Sequence, residues 1–160
     1  MDLVERDGHW AIQITPDAGT VKTNDARTVP LHEHLVEQGF VEFVRTKGKG
    51  PIFYNADTPL KTTTSDPTNP PKARSVKTRE RIAGWVRKVG VTDKAIQPNH
   101  AWRHTFKQIA DRVGISEKTS DAITGHAPAN VARSYGAPMV DDMAAALRKF
   151  PRYDLGKRSK

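Results

Sequence analysis

The chain has 160 residues, with 26 Lys and Arg against 18 Asp and Glu, a net charge of +8 and no Cys. Its length suits one domain or part of a longer protein, and its pI of about 9.9 favours a polyanionic partner, nucleic acid first. Disulfides and thiolate metal sites are excluded, no apolar run approaches the roughly 20 residues of a membrane helix, and the first six residues do not resemble the head of a signal peptide, so the chain reads as soluble and intracellular.

In chain order, the pattern opens extended. Trp10, Ile12 and Ile14 alternate with Ala11, Gln13 and Thr15, the period of a half-buried strand. Pro16-Asp17-Ala18-Gly19 is turn material, and "ARTVPL" returns as a second strand that Pro30 stops, with Lys22 and Thr23 in the connection. A helix is expected from about Glu33 to Arg45, burying Leu35, Phe40, Phe43 and Val44, with Gly39 as its weak point. "PIF" at 51–53 is a candidate short strand. Residues 55–74 are rich in Pro, Thr, Ser and Asp, lack periodicity, and read as a long flexible loop.

Helices are expected from there on. Ile82, Trp85, Val86 and Val89 give a core stripe on a helix at about 76–89. Asn99 is placed to cap a helix over about 100–113, and Ser116 a short one that ends at Gly125. Pro128 can open another, which Gly136 and Pro138 end. Val140, Met143, Leu147 and Phe150 form one stripe of a last helix, and "DLGKRSK" is a basic tail. The fold class expected is α+β, mainly helical, with a small N-terminal antiparallel hairpin or sheet; residues 1–150 make the domain and 151–160 the tail.

On a helical wheel, Trp102, Phe106, Ile109 and Val113 fall on a core side of the 100–113 helix. His100, Arg103 and Lys107 share a neighbouring edge. That edge suits a phosphate, because Arg offers paired N–H donors and both Arg and His⁺ counter negative charge. His126 follows Gly125 in a sharp corner, and Tyr135 comes nine residues later. A Tyr hydroxyl with its free pKa of about 10 needs a nearby base or cation before it can attack. Taken singly, H-x-x-R is a common solvated face, G-H a common helix end and Tyr a common packing residue. Order and spacing together are specific.

The run "HAWRHTF", "TGH" and "SYG" resembles the catalytic domain of the tyrosine recombinase, or phage integrase, family, whose pattern is H-x-L-R-H-T-F, then L-G-H, then the nucleophilic Tyr. Upstream, "VKTNDARTVPLHEHL" resembles that family's hairpin, roughly T-K-T followed by S-x-R-x-V-P-L-H. Trp102 and Thr124 stand where Leu is usual, and Ala26 where Ser is common. The resemblance runs from about Trp10 to Leu147. It implies a DNA breaking-rejoining type of fold, double-stranded DNA as partner, and DNA integration or recombination through a 3′-phosphotyrosine without metal or cofactor. It implies Tyr135 as nucleophile, Arg103 and His126 as stabilisers of the transition state, His100 as proton-transfer partner and Lys22 as acid to the leaving 5′-oxygen. Arg103, Lys107 and Arg27 would contact DNA phosphates. A phage or mobile-element origin, a cytoplasmic, nucleoid-associated location and a homo-oligomer on DNA belong to the same implication.

The family also carries an earlier Arg in a T-G-x-R-x-S-E segment, which the 160 residues do not contain. The expectation is therefore a fragment or truncated copy whose own cleavage is weak, and a non-catalytic DNA-binding remnant or regulator is the rival. A metal site from His100, His104 and His126 is a further rival; it lacks the acidic residue of H-E-x-x-H. His9, His32 and His34 join no pattern and read as surface.

Overall fold

The computed structural model describes residues 2–16, 26–57, 72–126 and 136–154. It is α+β, with about half of the described residues helical and a three-stranded antiparallel sheet. Strands β1 (Asp2–Arg6), β2 (His9–Ile14) and β3 (Arg27–Pro30) form the sheet in that order. Helices α1 (Glu33–Glu37), α2 (Phe40–Lys47), α3 (Arg74–Lys88), α4 (Pro98–Arg112), α5 (Glu117–Thr124) and α6 (Val140–Leu147) follow. The chain divides into two compact units, Met1–Phe43 with Phe106–Lys160, and Val44–Thr105; α2 and α4 each run through a boundary.

In the first unit the sheet gains a strand that alternation alone did not reveal. β1 pairs with β2 from Asp2 opposite Gln13 to Arg6 opposite His9, through a turn at Asp7-Gly8 where both residues take positive φ. β2 is thereby the middle strand. Ala11, opposite Val4 on one side and Pro30 on the other, is its fully buried residue, while Trp10, Ile12 and Ile14 are only half-buried. The small side chain goes where the middle strand is most closely covered. The expected Trp10 face is the more open one.

The core lies on the other elements of this unit. Ile123 of α5 packs with Met143 and Leu147 of α6, and Val29, Phe106, Ala122, Val140 and Phe150 surround them. Phe106 stacks on Phe150 with ring centroids 4.6 Å apart. The stripe of the last helix thus packs as its spacing requires. Ser116 accepts the N–H of Thr119 at the start of α5, satisfying one of the unpaired amides of the first turn. His9 reaches Asp141 in the first turn of α6 at 2.9 Å, joining sheet to helix.

The expected single helix over 33–45 is two. Gly39 takes φ +83°, a conformation that glycine enters without steric cost, and the chain turns there between α1 and α2. The turn changes the buried set: Val41 is buried, while Leu35 and Phe43 are exposed. His32 caps α1 through its Nδ1, which accepts the His34 N–H at 3.0 Å. Residues 51–53 form no strand.

In the second unit the expected stripe on α3 buries only Val86; Ile82, Trp85 and Val89 are exposed, as is Trp102 of α4 at 58%. Asn99 is not a cap, because α4 begins at Pro98, whose missing N–H costs nothing in the first turn. Its side-chain amide instead donates to the Arg79 carbonyl at 3.2 Å. At the head of α3, Lys72 binds Glu80 at 2.6 Å, and that ammonium holds the Glu80 carboxyl below its usual range. The proposed loop at 55–74 falls mostly outside the described residues, as do the candidate helix after Pro128 and the end of the basic tail.

Candidate functional site

The G-H corner is built by the end of α5. Gly125 takes the left-handed conformation, φ +69° and ψ +37°. The N–H groups of Gly125 and His126 then both donate to the Asp121 carbonyl, at 2.7 and 3.0 Å. Two amides on one acceptor bend the chain sharply and fix where His126 leaves the helix.

Asp121 also organises side chains. Its carboxylate is nearly buried and accepts the Lys107 ammonium of α4 at 2.7 Å. The same oxygen lies 3.8 Å from Nδ1 of His126. Thr124 donates its hydroxyl proton to the Ser120 carbonyl at 2.8 Å and places Oγ1 3.1 Å from that Nδ1. A hydroxyl whose proton is engaged meets the ring as an acceptor, so the contact works with the hydrogen on Nδ1. Carboxylate and hydroxyl thus hold one edge of the imidazole, an arrangement that sets the ring's orientation and tautomer. Thr124, the departure from Leu, has a polar task at this corner.

Arg27 arrives from β3. Its guanidinium covers the face of Gly125, so close that a Cβ added there would stand 2.7 Å from both Nη1 and Nη2. The corner needs glycine twice, once for its φ and once for this close approach. Three of the expected residues, Arg27, Lys107 and His126, therefore gather about Asp121 and Gly125 in one unit. Asp121 and Thr124 were not expected. One signal was present in the sequence: a carboxylate two residues before Ile123, inside a helix otherwise headed for the core.

In the second unit, His100 is exposed and its ring meets His104 edge to face, centroids 5.1 Å apart. Arg103, one turn along α4, is half-buried. Lys22 and Tyr135 lie outside the described residues. Among the described residues no group of three His, Cys, Asp or Glu side chains that could hold a metal ion is found. No helix among them is long and apolar enough to cross a membrane.

The Lys107–Asp121 pair carries a prediction of its own. Lys107→Met is expected to destabilise the fold by about 1–3 kcal/mol, because it leaves a nearly buried carboxylate without its cation. The figure stays below the 3–5 kcal/mol or so of a fully buried pair because the Lys107 side chain keeps 35% of its exposure. Lys107→Met with Asp121→Leu should recover most of the loss. Urea denaturation of the three proteins measures it.

No protein-family model matches the chain, and neither does any curated protein sequence or solved structure.

Proposed function

We propose that the chain carries the chemistry of a tyrosine recombinase, cleaving and rejoining DNA strands through a 3′-phosphotyrosine. One observation carries this reading: Lys22, Arg27, His100, Arg103, Gly125-His126 and Tyr135 occur in that order, and Arg27 is found against the Gly125-His126 corner, although 98 residues separate it from Gly125. A guanidinium beside the corner that positions His126 suits a phosphodiester.

In this mechanism the Tyr135 hydroxyl oxygen attacks phosphorus, its proton passes to a nearby base, and the bond to the 5′-oxygen breaks. His100 serves that proton transfer, and Lys22 supplies a proton to the departing 5′-oxygen. Arg103 and His126 bear the charge that develops on the phosphoryl oxygens. A 5′-hydroxyl of another strand reverses the step. The broken bond's energy is held in the phosphotyrosine, so no nucleotide is consumed.

A non-catalytic DNA-binding module is the second reading. It would hold if the donors at the phosphate were too few, since one missing donor of this kind costs about 10²–10³ in rate. A pool of nicked duplexes of randomised sequence separates the two readings. Cleavage near a nick releases a short fragment, so even slow attack accumulates as adduct. The expected result is a denaturant-stable protein–DNA adduct whose peptide map places the nucleotide on Tyr135. An adduct on Tyr54 or Tyr153 would move the nucleophile away from Tyr135, and no adduct at all would leave only the binding module.

A further inference from the structure

The second unit holds a pocket of about 370 Å³ between the middle of α3, the connection after it and the start of α4. Its volume lies at the small end of the range for ligand pockets, about 300–1,000 Å³. Its lining is unlike most of them. Arg79, Arg87, Lys94 and His100 line it with Gln97 and Asn99; among the described residues Ile96 and Pro98 are its only apolar ones, and no Asp or Glu contributes.

The walls are set by hydrogen bonds within the same unit. Arg87 sends Nη1 to the carbonyls of Val91 and Asp93 at 2.8 and 2.6 Å, and Nη2 to the carbonyl of Ile96. One guanidinium thus gathers the whole connection from α3 to α4. Its partners are carbonyl dipoles and not carboxylates, so its full positive charge stays at the pocket. Asn99 ties the start of α4 to α3 through the Arg79 carbonyl. The Asp93 carboxylate is turned to the Ala95 N–H at 2.8 Å, and Glu80, next to Arg79 in sequence, is engaged by Lys72. Arg79, Arg87 and Lys94 therefore place three positive charges around one small hollow whose described lining has no acidic residue.

Such a hollow disfavours cations and apolar molecules. Among the described residues its lining holds no Phe, Tyr or Trp, and its one aromatic ring is the His100 imidazole, so charge pairing outweighs base stacking there. What remains is an anion with several acceptor oxygens. We infer that this pocket binds a phosphate group, that of a nucleic-acid backbone, with Arg79 and Lys94 as the contacting side chains and Arg87 as the cation that builds the wall. The inference rests on the proposed function only for the source of the phosphate. A free polyphosphate has the same chemistry, and the test separates the two.

The test compares the full chain with Arg79→Gln/Lys94→Gln, and with Arg6→Gln/Arg112→Gln, which removes the same charge from exposed positions elsewhere. Arg87 is left intact because the connection depends on it. Duplex DNA binding is measured across a salt series, and backbone amide NMR shifts are followed on addition of pyrophosphate. With DNA, the pocket variant should lose about three- to tenfold in affinity at low salt, and its slope of log affinity against log salt should fall by about 1. The control variant should change less on both counts. Pyrophosphate should shift the amides of Lys94, Gln97 and Asn99 in the parent chain and not in the pocket variant. Shifts with pyrophosphate and no selective loss of DNA affinity would assign the pocket to a free polyphosphate. Equal DNA losses in both variants, with no pyrophosphate shifts, would overturn the inference. None of these readouts needs Tyr135, so a failure here leaves phosphotyrosine formation to its own trapping experiment.

Discussion

Tyr135→Phe is expected to abolish covalent attachment to DNA and to leave reversible duplex binding largely intact. The substitution removes one oxygen, and that oxygen is the atom that would bond to phosphorus. Phe has no hydroxyl to attack with, so the adduct should fall below detection. Arg103→Ala is the useful contrast. In the proposed mechanism it would remove a stabilising donor and leave the nucleophile, so adduct formation should slow by about 10²–10³-fold and still be measurable over long incubation. Tyr135→Phe leaves the +8 charge unchanged, and phosphate contacts from elsewhere keep the DNA bound. Gel-shift and denaturing-gel measurements on the same nicked duplexes separate binding from attachment. A Tyr135→Phe chain that still forms the adduct would sink the assignment of the nucleophile.

Local signals in the sequence hold at several positions where one residue's chemistry decides the structure, and Asn99, which does not cap α4, is an exception. Ser116 caps α5, Gly125 ends it, and Met143 and Leu147 of the last helix face the core. Gly39 was marked as a weak point and became the break between two helices. The failures concern what covers a face. Periodicity shows that Ile82, Trp85 and Val89 share a side of α3, and that Trp102 shares a side with Phe106. It cannot show whether another element lies over that side. In the structure Phe106 meets Phe150, while Trp85 and Trp102 are exposed. β1 escaped for a related reason: "DLVER" shows no clear alternation, and its strand state follows from pairing with β2.

The same division holds at the candidate site. Arg27 and His126 could be named from a motif, because a motif preserves spacing along the chain. Asp121 could not, because its importance lies in what meets it. Lys107 comes from fourteen residues earlier on another helix, and the His126 ring reaches it by turning back at the corner. The resulting geometry also gives Lys107 a different neighbour from the one its helix edge suggested, a carboxylate within the fold. That contact makes stability, measured apart from DNA binding, the informative readout for Lys107.

Gly125→Ala should show how strongly the corner depends on the packing of Arg27. The substitution acts in two ways. It places an L side chain at φ +69°, where the strain is roughly 1–2 kcal/mol. It also drives a methyl group into the Arg27 guanidinium, which must move away from Gly125. The end of an Arg side chain is flexible, so the second effect should disturb the site more than the stability. A cycle with Arg27→Ala separates the two. In the Arg27→Ala background the methyl meets no guanidinium, and Gly125→Ala should cost only the backbone strain. The difference between the two costs, measured by urea denaturation, should be about 0.5–1 kcal/mol, the lower part of the range for residues in contact. Adduct formation, measured where every variant is folded, should fall in Gly125→Ala by more than the unfolded fraction explains. Arg27→Ala should show much of the same loss, and the double variant little more than either. Strictly additive losses in both stability and adduct formation would mean that the guanidinium and the corner act independently, and Arg27 would then have no part in positioning His126.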